Sequence, residues 1–378
     1  MMTLRHLFFS VVGLIVCLGL AGTSRAAVPR AFVSINGSDL NPCSATQPCR
    51  SFNQALTVVQ PGGEIVVQNS GGYSTGFTIT QSVTIDAGGF NASVVTLAGG
   101  DACTINAGAS DTVVLRGISF HGSLLQHISG TAINVSQVGS LYVEHCSISQ
   151  FNTGGVSMVN GGKLFATDTD IRACNSWAIL AEPTDGSQAG TPVQLVAHDC
   201  RFSECGVGVL VDSVPFHTVR QTADAWLSNC TASCCGDGFD ARSAGPDVDM
   251  AVINCRAVGN GGAGIMASPS LGGSVTVRMA NCTVTGNKEG IHVDPGIASV
   301  LGTNPGTNFV SGNTTDGSIA SIVTLADLMD GPWNPQILAP RSSQALPDSA
   351  LAADQRRRGE IATPSRRNWM AAIKERTS

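Results

Sequence analysis

Glu182, Asp212, Asp240, Arg242, His292 and Asp294 stand at spacings that could bring them side by side. Each lies in, or just after, a short alternating apolar run, as in "GVGVLVDS", "GFDARS" and "GIHVDP". Carboxylates forced close together raise one another's pKa unless a cation lies between them. Three chemistries follow. Glu182 and Asp212 could hold a Ca2+ ion, an all-oxygen site suited to a hard cation. Asp212, Asp240 and Arg242 could move a proton, and are the candidates for catalysis. The whole set could instead hydrogen-bond a polyhydroxylated ligand. The ordinary alternative is a polar outer face with no ligand, since exposed positions of a soluble sheet are polar in any case. His217 and Arg220, in the long segment "DSVPFHTVRQTAD", and the segment "EPTDGSQAGTP" would wall the same region.

The elements that position these side chains are visible in a phrase spelled twice. Val252–Ser268 reads "VINCRAVGNGGAGIMAS" and Met279–Pro295 reads "MANCTVTGNKEGIHVDP". With Cys255 as the zero column, the matching residues are Arg116, Cys146, Thr169, Cys200, Cys230, Cys255 and Cys282, spaced by 30, 23, 31, 30, 25 and 27 residues. Self-similarity at such a period is the mark of stacked coils. Three residues before zero every position is apolar, from Val113 and Val143 to Val252 and Met279, and two residues after zero the same holds, from Ile118 and Ile148 to Ala257 and Val284. Apolar residues alternate within each segment, so the segments are strands with one buried face. Three short strands per period close one triangular coil.

The column before zero holds His145, Asp168, Asp199, Asn229, Asn254 and Asn281. These types are the non-glycine residues most enriched in the left-handed backbone region, so the column reads as a structural ladder of bends whose amides also bond from coil to coil. Zero-column cysteines then point inward. Cys174–Cys205, Cys200–Cys230 and Cys255–Cys282 could form cross-rung disulfides, or the sulfurs could form a dry thiol stack. Cys43 and Cys49, in the polar loop "NPCSATQPCR", are expected to pair with each other.

The ends differ from the middle. Arg5 and His6 precede the apolar run "LFFSVVGLIVCLGLAG" and small residues at Ser24 and Ala26. This pattern predicts a signal peptide over 1–26, and hence a secreted or periplasmic protein with no membrane span. Residues 27–62 read as an N-terminal cap, 63–313 as the coils, 314–340 as a C-terminal cap and 341–378 as a disordered basic tail. Between Ala27 and Pro340 there are eleven Lys/Arg against twenty-three Asp/Glu, a balance of −12. Such a body repels phosphates, which argues against nucleic acid as a partner. Lys163 and Lys288 are the only lysines in it, so a lysine base is in short supply. Trp177, Trp226, Tyr73, Tyr142 and Trp333 are the aromatics placed to stack on a sugar.

The recurring "N-C-x-[apolar]-x-x-N-x-x-G-[apolar]" pattern resembles the repeats of secreted bacterial right-handed parallel β-helix proteins, the pectate-lyase-like fold. The front segment "PCRSFNQALTVVQPGGEIVVQNSGGYSTGFTITQSVTIDAGG" is similar to theirs, and the likeness spans Arg30 to Asn313. It implies an all-β, single-stranded solenoid with a short N-terminal capping helix. It also implies polysaccharide or cell-surface glycan as the ligand, met on the outer face of one sheet, with Ca2+ bridging an acidic glycan to Glu182 and Asp212. Motifs of the enzymes with this fold are missing: the chain has no Asn-Thr-Asp, Asp-Asp or Gly-His-Gly. The expectation is therefore a glycan binder, with a polysaccharide lyase or glycoside hydrolase as the first alternative and a structural or adhesive rod as the second. Oligomeric state is open.

Overall fold

The computed structural model describes residues 27–96, 99–123, 130–183, 192–213, 222–270, 273–303 and 307–323. The chain divides into two units, Met1–Leu328 and Met329–Ser378, and every described residue belongs to the first. The expected signal peptide, the basic tail, most of the C-terminal cap with Trp333, and the segments holding His217 and Arg220 lie outside the described residues.

The described strands form three sheets of twelve, ten and nine members, here called I, II and III, and every pairing is parallel. From Val59–Val67 to Phe309–Val310 the chain visits them in strict rotation. A coil reads, for example, Val193–His198 in sheet I, Arg201–Ser203 in sheet II and Val207–Ser213 in sheet III. Parallel neighbours therefore come from successive coils, which is how a parallel sheet arises without crossover helices. At the front, Val28–Val33 pairs with Val59–Val67 as the first rung of sheet I. The helix Phe52–Val58 is N-capped by Ser51, whose hydroxyl accepts from the Gln54 N–H. Its Phe52 is buried, with ring centroids 5.3 Å from Tyr73 and 5.4 Å from Phe77. The expected boundary at Gly63 falls inside the Val59–Val67 strand. At the far end Ser321–Val323 extends sheet I beside Leu301–Thr303.

Register follows the columns. Val143, Ala166, Ala197, Leu227, Val252 and Met279 lie over one another in sheet I, and all are buried. Ile148, Ile171, Phe202, Ala232, Ala257 and Val284 do the same in sheet II. The first coil is displaced from the expected grid. Arg116 pairs with Glu144 and Val113 with Leu141, so Ile118, not Arg116, precedes Cys146 in the zero column. Gly117, with φ 69°, occupies that coil's bend, and a glycine there carries no side-chain signature to fix the alignment.

The bend column has left-handed φ values of 53°, 46°, 55°, 56°, 54° and 55° at His145, Asp168, Asp199, Asn229, Asn254 and Asn281. A second left-handed column follows at Gln150, Ala173, Glu204, Cys234, Gly259, Gly286 and Gly312. Side-chain bonding between coils departs from expectation. In the first column His145 Nδ1 bonds Asp168 Oδ2 at 2.8 Å, while Asn229, Asn254 and Asn281 are exposed and do not bond one another. The amide ladder lies inside the coil instead, at Asn260, Asn287 and Asn313. Asn287 Oδ1 accepts from the Asn260 N–H at 2.9 Å and from Asn260 Nδ2 at 2.8 Å, and Asn313 Oδ1 accepts in the same way from Asn287, at 2.9 Å each. Asn287 Nδ2 also donates to the Ala257 carbonyl at 3.0 Å.

Toward the N-terminus cysteines take these inward places. Cys174, Cys205 and Cys235 stack in one file and Cys200, Cys230 and Cys255 in another, each thiol donating to the carbonyl two residues before it at 3.2–3.7 Å. They are free thiols, the second of the two arrangements the spacing allowed, and Cys43–Cys49 is the one disulfide among the described residues. Burial pushes the Cys146 thiol up to about 12 and that of Cys282 up to about 11, so neither is a thiolate at neutral pH.

Two outcomes test this interior. Asn287→Ala strands several buried partners and should cost about 2–4 kcal/mol. Asn254→Ala disturbs only a left-handed corner and should cost about 1 kcal/mol. Urea unfolding of both variants compares them, and equal costs would count against the buried ladder. Iodoacetamide on the native protein should label Cys234, the exposed cysteine, while the nine buried thiols react only after unfolding, as read by intact-mass spectrometry.

Candidate functional site

Sheet III gathers the ionisable side chains singled out by their spacing. Asp212 pairs with Arg242 and Arg242 with Ser268. One residue beyond the paired strands, Glu182 follows Ala181 beside Asp212, and Asp294 follows Val293 beside Ser268. The outer face thus carries one file, Glu182, Asp212, Arg242, Ser268, Asp294, with members about 4.8 Å apart along the helix axis. A neighbouring outward file runs Leu180, Leu210, Asp240, Met266, His292. Strand alternation puts Phe239 and Ala241 in the core and Asp240 outside the sheet. Gly208, Gly238, Gly264 and Gly290, near the starts of four of these strands, let the coils approach: a Cβ on Gly238 would lie 2.4 Å from the Gly264 carbonyl oxygen.

Asp240 is not where an exposed sugar contact would be. Its side chain is 0% exposed, in a file with the buried Leu180 and Leu210. Oδ2 accepts from Arg242 Nε at 2.8 Å and Nη2 at 2.5 Å, while Oδ1 has no partner. Burial pushes this carboxyl up to about 6, against the pull of Arg242. Asp212 is raised for the same reason and is likewise opposed by Arg242. Glu182 is raised by burial and then by Asp212. Arg242 therefore supplies positive charge to Asp212 and Asp240, while Glu182 lies on the far side of Asp212 from it. Among the described residues no group of three or more His, Cys, Asp or Glu side chains is arranged to hold a metal ion.

The lower end of the file forms a second group. His292 Nδ1 bonds Glu289 Oε2 at 2.5 Å and Nε2 bonds Asp294 Oδ1 at 2.9 Å. An acceptor on each nitrogen favours the charged imidazole, and its pKa is raised, by Asp294 first and then Glu289. Asp294 also accepts from the Ser268 hydroxyl at 2.5 Å, which lowers its pKa. Glu289 and Ser268 were not among the sequence candidates. The three-residue step from Glu289 to His292 and the shared file of Ser268 and Asp294 are the signals that would have found them.

Other aromatic and acidic groups lie elsewhere. Tyr73 is buried, its hydroxyl donating to Asn69. Tyr142 stacks on Phe165 with centroids 4.6 Å apart on the outside of sheet I, and Trp226 continues that outward file but is itself buried. Trp177 has a buried Nε1 without a partner. Asp224, beside Asp249 in sheet I, is pushed up to about 6 by burial and then by Asp249, while Asp249 pairs with Arg278.

The comparisons with known proteins agree with the coil geometry. The family model described as "Right handed beta helix region" matches residues 75–222. Among solved structures, the chain is similar to the pectate lyase Pel9A with a TM-score of 0.56 and 16% identity, over 78% of this chain and 82% of that one. A family GH136 lacto-N-biosidase from Eubacterium ramulus has a TM-score of 0.42 and 12% identity, over 78% and 67%. XylC in complex with xylose has 0.42 and 9%, over 73% and 72%. No curated protein matches the sequence. The protein is a right-handed parallel β-helix, and no helix among its described residues is long and apolar enough to cross a membrane.

The buried carboxyl makes a prediction about pH. Folding favours neutral Asp240, so the site costs nothing below the unfolded value of 3.8 and costs most above about 6. Wild-type protein should lose stability at this position as pH rises through that window. Asp240→Asn should therefore gain on wild type between pH 4 and pH 8 in denaturant unfolding, and a pH-independent difference would contradict a buried, raised carboxyl. Asp224→Asn should behave alike, from its own value of about 6.

Proposed function

We propose that this exported β-helix binds a polysaccharide or surface glycan along the outer face of sheet III. The observation that carries the reading is the file Glu182, Asp212, Arg242, Ser268, Asp294, which offers a hydrogen-bonding side chain at each rung. A polymer lying along the axis meets a new polar group about every 4.8 Å. Hydroxyls can donate to Glu182 and Asp212 and accept from the guanidinium of Arg242.

Binding is favoured over catalysis by the position of Asp240. Its carboxyl has the raised pKa of a proton carrier, but it is buried and already bonded to Arg242. Asp240 and His292 are then supports rather than contacts: Asp240 fixes Arg242, and His292 ties Asp294 to Glu289. The balance of charge favours a neutral glycan. Carboxylates outnumber Arg242 and His292 on this face, so a polyuronate would be repelled unless a cation came with it.

Immobilised neutral galactan, xylan and polygalacturonate, each with and without EDTA, test the reading. Neutral glycan should be retained in EDTA, and Glu182→Ala with Asp212→Ala should weaken it about tenfold, the loss of one or two good hydrogen bonds. Unchanged binding in the double variant, or retention of none of the three glycans, would remove the proposal. Absorbance of unsaturated uronate products should stay at background.

A further inference from the structure

A cleft of about 600 Å³ opens at the corner between sheets I and II, the corner that sheet III does not border. Its polar and aromatic lining is Asp86, Phe90, Asn91, Arg116, Ser119 and His145. The volume falls in the ordinary range of ligand sites. It exists because the coil of Val83–Asp86 turns this corner through a longer loop than the coils that follow it in the middle of the solenoid. From the coil of Ser140–Glu144 to that of Ser274–Ala280, the left-handed bend residue and the zero-column residue alone link the two strands. After Val83–Asp86 five residues intervene, Ala87–Asn91, with Gly88 and Gly89 at φ 58° and 85°. The loop is held locally: Asp86 Oδ1 accepts from the Gly88 N–H at 2.8 Å, and the Phe90 N–H donates to the Ala87 carbonyl at 2.9 Å. Phe90 is left 41% exposed on one wall. The next coil puts Gly117 at its bend, so no side chain fills the space under the loop. The coil after that puts His145 there, as the opposite wall.

Arg116 lines the same cleft and is rigid. Its Nη1 lies 3.1 Å from Asp86 Oδ2, and its Nε and Nη2 lie 2.8 Å from Glu144 Oε2, so the guanidinium is pinned across three coils. These bonds use three of the five N–H donors, and two remain for a ligand. His145 Nδ1 bonds Asp168 Oδ2 at 2.8 Å, which fixes the ring and leaves Nε2 as its second hydrogen-bonding atom. A fixed set of donors and acceptors facing an exposed ring suits a molecule with one apolar face and a rim of hydroxyls. Carboxylates at Asp86, Glu144 and Asp168 disfavour phosphates and uronates.

We propose that this corner cleft is a second carbohydrate site, separate from the sheet III face, and that it takes one neutral pyranose. The C–H face of the sugar packs on Phe90, its hydroxyls accept from Arg116, and one hydroxyl donates to His145. Sequence columns would not show it, since it depends on a loop insertion and a missing side chain at adjacent rungs.

Saturation-transfer NMR on the full chain tests this with glucose, galactose, mannose and xylose as probes. The experiment is run in the Glu182→Ala/Asp212→Ala background, so that the outcome does not depend on sheet III. At least one sugar should show transfer. Phe90→Ala should weaken it about tenfold, and His145→Asn, which keeps the left-handed corner, should weaken it as well. Phe90 is on a surface loop, so far-UV circular dichroism should be unchanged. Absence of transfer from all four sugars, or equal transfer in the Phe90→Ala protein, overturns the proposal.

Discussion

A backbone N–H that follows a left-handed corner turns into the coil, where water cannot reach it. A buried donor left alone is costly, so the next coil must offer an acceptor at that point. The structure meets this demand at three corners of each kind with a side chain from the next coil. After the first corner, Cys146 donates to Thr169 Oγ1, Cys230 to Cys255 Sγ and Cys282 to Asn308 Oδ1. After the second, Cys235, Asn260 and Asn287 donate to Asn260, Asn287 and Asn313. Three side-chain types serve one geometric role. What they share is small size and an acceptor, and the coil accepts thiol, hydroxyl or amide accordingly. Register in all three sheets follows, since the corners fix where each strand begins.

Much of this was legible because the corner residue is chemically restricted. Asn, Asp and His at six successive bends set the grid, and the apolar columns on either side agreed with it. The grid slipped by two residues where Gly117 stood at the bend. The second corner escaped notice because Gln150, Ala173, Glu204 and Cys234 have nothing in common except φ. The amides were read in the exposed column, although the stronger demand for hydrogen bonding lies in the buried one. Along sheet III, spacing was enough to file Glu182, Asp212, Arg242 and Asp294 together. It could not tell that Asp240 is buried, because alternation says which face a side chain leaves from and nothing about what covers it. Glu289 joined the group through a local bond to His292 that column counting does not register.

The two polar faces differ in origin. That on sheet III is periodic: each coil contributes a residue from the same place, and Arg242 and, from the neighbouring file, His292 offset part of its negative charge. The corner cleft is aperiodic, made by one longer turn above one glycine. A solenoid can therefore carry an extended surface and a discrete pocket on the same frame without either constraining the other. The corner pocket costs little stability, because the strands around it keep their pairing.

Where the acceptor for a corner is supplied by the following coil in the same column, as it is for Cys230 and Cys235, the coils are interchangeable units. A duplication or deletion of one full turn, such as Cys230–Asn254, would rejoin like to like: a thiol still meets the incoming N–H, and a Leu or Val still covers the core. Evolution of reach along such a rod is then a matter of gene-segment copying, with the length of its polar outer face growing one rung at a time.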